Sequence, residues 1–552
     1  MSWLSYCYKT YQNSVSEIGK QQPGKVPLLP VAHTTQQVNI EVELDKDGNF
    51  QYAGLLAQDQ RTTIIPCTEE SSARTSGMVP HPLVDKLQYI AADYPTFGGS
   101  KESGWPLYHK QLQAWCTSPY AHPAVCTVLH YLEKECLIAD LVKANILFID
   151  ENGTLPTKWQ GNKEDKPPIL DTLTGSDQTE SFVRFRVDNV DLSRDTTVRE
   201  SFIRFYETQL KDIDYCTVQG IKMPVSTLSP YKIRNPGDRA KLISSNDNTN
   251  YTYRGRFADA AQALSIGYET TQKAHSALRW LVSKQGVNTG DQTVLVWGTQ
   301  NEAVPNVLGD TLDIAQEYNP LAGDDWDDFE EDTERLPADT QEEIARQFNR
   351  AILGYQHQLK DNSQTAVMIL DSATPGRLSI RYYQELQGSK LLANIKDWHD
   401  TFQWQLEYRS VEEPTELGKK PKIKKVVFVG VPAPADIAKA AYGEKVDAKL
   451  KQATIERLIP CITNGERFPR DLMISAVDRA TNSIGLDYWE QQKTQNIACA
   501  LVRGYYHRNK KVDYPMNVDE TIKDRNYLFG RILACAEQIE RRALIQQGNE
   551  NE

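Results

Sequence analysis

The chain has 552 residues, and its 62 lysines and arginines stand against 74 aspartates and glutamates, a formal charge of −12 with histidine neutral. That length is enough for roughly three or four domain-sized units. The acidic balance excludes a protein whose whole surface coats nucleic acid, so any such role has to sit on local basic patches.

Residues 1–9 show no basic region followed by an apolar core, so no signal peptide is expected. The alternation of Val38 to Leu44, the turn-forming run Asp45 to Asn49 and the stretch Phe50 to Leu55 predict a β-hairpin. Behind Pro123, apolar Val125, Leu129, Leu132, Cys136, Ala139 and Val142 recur at helical spacing and predict one core-facing helix over 123–149. A polar loop over 151–179, a strand from Phe182 to Val187 and a helix from Thr197 to Leu210 follow. Thr293 to Trp297 reads as a short buried strand, and the eight carboxylates between Asp324 and Glu334 as a solvated or disordered loop.

Ala366 to Leu370 and Leu378 to Tyr383, flanking Thr374-Pro375-Gly376-Arg377, predict a second hairpin, and a helix is expected from Lys390 to Tyr408. The proline-punctuated, lysine-rich stretch Glu412 to Lys425 reads as a domain boundary or exposed connector. The longest weakly polar run, Val426 to Ala435, contains two prolines and is far short of a bilayer span, so a soluble, cytoplasmic protein without a membrane partner is expected. Four helical stripes come next: Ile455, Leu458, Ile459 and Ile462; Leu472, Met473, Ala476, Val477 and Ala480; Trp489, Ile497, Leu501 and Tyr505; and Leu528, Ile532, Cys535, Ile539 and Ala543. The fold class is therefore α+β, a mixed N-terminal region of β-hairpins and helices followed by a C-terminal helical bundle. The expected divisions are an α+β region over 1–215, a central α+β region with a basic polar loop over 216–414, and a four-helix bundle over 415–552.

Nine cysteines without a C-x-x-C pair speak against a zinc ribbon or redox dithiol and fit buried free thiols in a reducing cytosol. Between Tyr231 and Phe257, six cations (Lys232, Arg234, Arg239, Lys241, Arg254 and Arg256) face two carboxylates, Asp238 and Asp247. Ser244, Ser245, Asn246, Asn248, Thr249, Asn250, Tyr251 and Tyr253 lie among them. Cations bind phosphates and release counterions, while amides, hydroxyls and tyrosine rings touch base edges or stack, so this stretch is the leading nucleic-acid candidate. The competing reading is a long surface loop whose charges meet the acidic cluster. Further candidates for phosphate contact are Arg74, Lys422, Lys424, Arg467, Arg470, Arg503 and Arg508, against the alternative of solvated helix faces.

Rival chemistry is weak. Trp398-His399-Asp400 holds the His-Asp dipeptide that a metal-dependent HD-type nuclease needs, but no companion motif accompanies it. His122, Cys126 and His130 fall at i, i+4 and i+8, a spacing that could hold zinc or simply pack a helix that Pro123 begins. No Walker loop or nucleophile elbow is present, and neither a catalytic residue nor a metal or other cofactor is expected.

Three late segments, Phe468-Pro469-Arg470-Asp471-Leu472, Ile497 to Arg503 and Tyr527 to Ala534, resemble the C-terminal signature of the large subunit of the type I-C CRISPR interference complex, Cascade. Cys216-Thr217-Val218-Gln219-Gly220, with Pro224-Val225, Leu228 and Lys232-Ile233-Arg234, is similar to that family's central motif, although Gln219 and Ser229 replace its usual threonine and histidine. Arg74 to Gly77 leading to Leu83 to Tyr89, Phe182 to Phe185 and Pro375 to Arg377 are looser matches. The resemblance implies a non-catalytic subunit that recognises the protospacer-adjacent motif in duplex DNA, aids duplex opening, stabilises the displaced strand and helps recruit the helicase-nuclease. The implied partners are the Cascade backbone and guide-processing subunits, small subunits resembling its own C-terminal bundle, the 5′ handle of the CRISPR guide RNA, target double-stranded DNA with its displaced single strand, and the helicase-nuclease.

Overall fold

The computed structural model describes residues 2–74, 77–98, 101–156, 159, 166–173, 175, 177–235, 237–243, 257, 260–317, 341–359, 363–374, 376–412, 422–482 and 485–546. The chain forms two compact units, one from Met1–Pro305 with Tyr355–Leu391 and the other from Asn306–Gly354 with Leu392–Glu552. Strands concentrate in the first and helices in the second, an α+β protein.

In the first unit a mixed sheet runs in the order Phe50–Leu55, Ile40–Leu44, Phe182–Val187, Asp85–Lys86, with Ile40–Leu44 parallel to Phe182–Val187. Ile40, Val42 and Leu44 are buried while Glu41 and Glu43 are not, the period-two pattern that fixes which face meets the core. The hairpin pairs Leu44 with Phe50 and Ile40 with Leu55. Its turn closes because Asp45 Oδ1 accepts from the amides of Asp47 and Asn49 at 2.9 and 2.8 Å, and Gly48 supplies the left-handed residue at φ +75°.

Two helices, Pro123–Leu132 and Leu137–Lys143, stand where the apolar spacing predicts one. Glu135 takes a left-handed φ of 55° and breaks the run, letting Leu137, Ile138 and Leu141 enter the core at a new angle. Helix Thr196–Glu207 starts where Asp195 accepts from the amides of Thr197 and Val198.

A second, antiparallel sheet orders Val287–Thr289, Gln292–Gly298, Gln364–Thr374 and Arg377–Gln387. Gln292–Gly298 is buried at every position. Helices Trp3–Asn13 and Tyr268–Gln285 share its core, in which Leu4, Cys7, Ala274, Leu278, Leu281, Leu295, Trp297 and Met368 pack together. Trp297 Nε1 donates to Thr10 Oγ1 at 3.2 Å, so the indole is satisfied inside.

The helix Gly388–Phe402 stops short of the predicted Tyr408. Arg503 donates to the carbonyls of Asp400, Thr401 and Gln403 at 3.1, 2.9 and 3.2 Å and so caps its end. The chain then pairs Trp404–Glu412 with Lys422–Gly430, from Trp404 opposite Gly430 to Glu412 opposite Lys422. The helices Pro434–Tyr442, Ala448–Thr463, Arg470–Thr481 and Tyr488–Tyr505 pack together beyond it. In the final helix, Arg525–Gln546, Leu528, Phe529, Ile532, Leu533 and Ile539 of the fourth stripe and its neighbours are exposed, 39 to 70 %.

Trp398, Phe402 and Phe468 form an aromatic cluster, with Trp398 and Phe402 centroids 4.1 Å apart. Gly504 lies so close that a Cβ there would fall 2.0 Å from Phe402 Cδ1. Gly504→Ala should therefore destabilise the second unit by about 2–3 kcal/mol, whereas Gly530→Ala, where nothing lies within 4 Å, should stabilise its helix by about 0.5–1 kcal/mol. Urea unfolding followed by circular dichroism measures both, and equal effects at the two positions would contradict the close approach.

Candidate nucleic-acid interface

The basic stretch is positioned by a series of polar ties in the first unit. Cys216 begins a tight turn in which Gly220 N–H donates to the Cys216 carbonyl at 2.8 Å, with Gly220 at φ +73°. Burial would raise the Cys216 thiol's pKa, but the amides of Gly267, Gln219 and Val218 and the Thr270 hydroxyl outweigh it and the net shift is downward. The turn is fastened to the start of helix Tyr268–Gln285, because Thr217 N–H donates to the Ser265 carbonyl and Ser226 N–H to that of Ile266, each at 2.9 Å.

Buried Glu69 holds the next segment. Its carboxylate accepts from Leu228 N–H at 2.8 Å, from Thr227 Oγ1 at 3.0 Å and from Ser226 Oγ. A second carboxylate closes the loop that follows: Asp238 accepts from Arg234 Nε at 2.8 Å and Ala240 N–H at 3.0 Å, and its carbonyl accepts from Lys232 N–H at 2.8 Å. Ile233 and Ala240 are both 1 % exposed and anchor the loop to the core. The result is a Lys232 held at φ +63°, a strained backbone for a side chain with a Cβ.

The predicted cations therefore differ in kind. Arg234 is committed to Asp238 and to the Asp291 carbonyl, at 2.8 and 2.7 Å. Arg74 forms a bidentate pair with Asp85 at 2.8 and 2.9 Å and lies 4.5 Å above the Tyr89 ring. Lys241 is half-buried and its backbone joins the Gly376–Leu378 hairpin tip. Arg239 is exposed, and Lys232 lies with its Nζ 5.4 Å from the Tyr231 ring centroid. Ser244, Ser245, Asn246, Asn248, Tyr251, Arg254 and Arg256 lie outside the described residues, as does the acidic cluster Asp324 to Glu334.

In the second unit, Arg503 caps the helix Gly388–Phe402, and Arg508 is 8 % exposed, donating to the Cys461 carbonyl and Asp397, each at 2.6 Å. Arg467 and Arg470 are exposed. Lys422 and Lys424 belong to strand Lys422–Gly430.

One cation escaped the sequence reading. Arg279 sits on the buried side of helix Tyr268–Gln285, 7 % exposed, with Nη2 donating to Thr35 Oγ1 at 2.8 Å and Nε without a partner. It shares a cavity with Lys232. Burial lowers the pKa of both, that of Arg279 to about 10; Arg279 and Arg239 lower that of Lys232 further against the opposing pull of Cys67, while Tyr231 and Cys67 pull that of Arg279 upward. No carboxylate contributes to either shift.

The rival motifs do not converge. His399 is 5 % exposed, stacks on Phe348 at 4.5 Å and hydrogen-bonds Thr311 Oγ1 at 2.8 Å, while exposed Asp400 pairs with Lys396 at 2.5 Å. His122 bonds Thr197 Oγ1, Cys126 Sγ donates to the Cys116 carbonyl, and His130 is exposed. Among the described residues no group of three or more His, Cys, Asp or Glu side chains could hold a metal ion, and no helix is long and apolar enough to cross a membrane.

Residues 7–551 match the family described as CRISPR-associated protein (Cas_Csd1). No curated protein matches the chain.

Two predictions follow from these ties. Glu69→Ala removes the acceptor of Leu228 N–H and Thr227 Oγ1 and should destabilise the first unit by about 2–4 kcal/mol in urea unfolding; a shift under about 0.5 kcal/mol would show that Glu69 is not the fastening point. Burial lowers His33, His81 and His275 to pKa values of about 4 and His399 to about 3. The unfolded chain takes up these protons near pH 6.5, before the folded chain does, so unfolding is favoured by acid. Stability should be complete above pH 6.5 and fall down to about pH 4, each histidine contributing a slope of about 1.4 kcal/mol per pH unit. Urea midpoints that do not change between pH 7 and 4.5 would contradict this.

Proposed function

The chain belongs to the CRISPR-associated Csd1 family, and from that premise we propose that it is the non-catalytic large subunit of a type I-C Cascade. In this reading it recognises the protospacer-adjacent motif in duplex DNA, assists duplex opening, stabilises the displaced strand and offers a surface for the helicase-nuclease. Its partners are the backbone and guide-processing subunits, small subunits like its own helical bundle, and the guide RNA's 5′ handle. Base pairing by the guide reads the long sequence, and the protein is left to read the short motif and the backbone.

The observation that carries the reading is the contrast between a chain of net charge −12 and the loop from Pro230 to Lys241, where half-buried Lys232 and exposed Arg239 stand on a scaffold whose two carboxylates, Glu69 and Asp238, are already occupied by hydrogen bonds. A tied loop carrying cations without a carboxylate partner among the described residues is what a phosphate backbone selects, because the geometry is set before the ligand arrives. Acidity elsewhere limits binding to that face.

Charge reversal tests it. In the assembled complex, Lys232→Glu with Arg239→Glu should weaken target-duplex binding at least tenfold and reduce the salt dependence of log K by about 1–2. Affinity and salt slope both equal to the unmodified complex would sink the assignment.

A further inference from the structure

A groove of about 580 Å3 opens in the first unit between helices Trp3–Asn13, Thr196–Glu207 and Tyr268–Gln285. Its volume falls within the roughly 300–1,000 Å3 of ordinary binding clefts. None of its lining residues belongs to the loop from Pro230 to Lys241.

Part of the lining is apolar. Tyr11, Val15, Ile18, Pro30, Val31 and Ile203 contribute to it, and Val15 is 62 % exposed. An aliphatic side chain left that open beside further apolar surface is stabilised when a partner covers it.

The charges say what kind of partner. Two cations line the groove, and both are engaged: Arg199 donates Nη2 and Nε to the Ser193 carbonyl at 2.7 and 3.2 Å, while Lys273 pairs with Glu269 and lies with its Nζ 5.7 Å from the Tyr11 ring centroid. Three carboxylates line it as well, and the side chains of two of them, Glu200 and Glu207, make neither a hydrogen bond nor an ion pair among the described residues. Burial, and after it the nearby Glu269, raise the Glu207 pKa against the opposing pull of Lys273 and Arg204, so an added cation would relieve the site.

The spacing narrows the partner further. Glu200, Ile203 and Glu207 fall at i, i+3 and i+7 of one helix and share a face, with the carboxylate positions about 10.5 Å apart along the axis at roughly 1.5 Å per residue. An apolar side chain between two unpaired anions at two-turn spacing is matched by a helix that carries an apolar side chain between two cations at the same spacing. A nucleic acid, itself anionic, is repelled from such a face.

We propose that this groove docks a helical segment of another protein, one presenting two lysines or arginines seven residues apart with an apolar side chain between them. The cations meet Glu200 and Glu207, and the apolar side chain covers Ile203 and Val15. On the reading that the chain is a Cascade subunit, that protein is a neighbouring subunit of the assembly.

Fluorescence anisotropy of the full chain with a labelled, alanine-based helical peptide, bearing arginines at i and i+7 and leucine at i+4, tests the groove without the complex. Binding should saturate and weaken roughly tenfold or more in Glu200→Lys with Glu207→Lys. Glu200→Gln with Glu207→Gln, which removes the charges without reversing them, should give a smaller loss, and circular dichroism checks that both variants keep their helices. Replacing the peptide's leucine by serine should cost roughly fivefold, because the apolar contact is lost while the charges stay. In the assembled complex, p-benzoylphenylalanine in place of exposed Gln12, which also lines the groove, should cross-link to a subunit segment of the stated pattern. No peptide binding, equal binding by the serine peptide, or a cross-link to nucleic acid, to a second copy of this chain or to nothing would each overturn the proposal. Lys232→Glu with Arg239→Glu should leave peptide binding and the cross-link unchanged, so failure of the duplex-binding reading and failure of this one are told apart.

Discussion

In the first unit, buried Arg279 and half-buried Lys232 line one cavity that has no carboxylate among its lining residues. Removing an isolated ammonium or guanidinium from water costs several kcal/mol, and a fold that does so must recover the difference elsewhere or from a ligand. Here the surroundings are over-determined. The Cys216 turn is fastened to the helix start, Glu69 gathers three donors from residues 226–228, Asp238 closes the loop, and Ser276 straps the opposite wall. The Ser276 tie holds the Leu29 wall of the cavity, and the other three hold the segments on either side of Pro230–Lys232.

The second unit treats its arginines differently. Arg503 satisfies helix-terminal carbonyls, Arg508 bridges a carbonyl and a carboxylate over the Trp398 and Phe402 rings, and Arg457 forms a bidentate pair with Asp471. These cations hold structure, because their donors are already engaged. What distinguishes them from Lys232 and Arg239 is therefore the presence of carboxylate or carbonyl partners among the described residues rather than charge or position in the sequence, and cation counts along a chain overstate how many are available to a phosphate.

Much of the local structure was legible because it depends on nearest neighbours. The hairpin through Asp45 to Asn49 follows from alternation and an aspartate that can bond its own backbone, and the buried strand near Thr293 to Trp297 from the need to bury both faces. The break at Glu135 was not legible, since nothing in the spacing of apolar residues signals a non-glycine left-handed residue. Nor was the end of the helix at Phe402, which Arg503 decides from a hundred residues away. The fourth apolar stripe has helical periodicity, yet Ile532 and Ile539 are exposed, because periodicity reports a face and not what covers it.

The candidate site divides along the same line. Composition and local charge by themselves determined that an acidic chain keeps a cationic stretch at Lys232 to Lys241, and the order of motifs determined its kinship. Only the tertiary structure decided that Arg234 and Arg74 are held by Asp238 and Asp85, and that Arg279, hidden on the core side of a helix, joins Lys232. The physical reason is range: helix and strand periodicities act over a few residues, whereas the energy of a buried charge depends on every group within several ångströms, brought together from four separate parts of the chain.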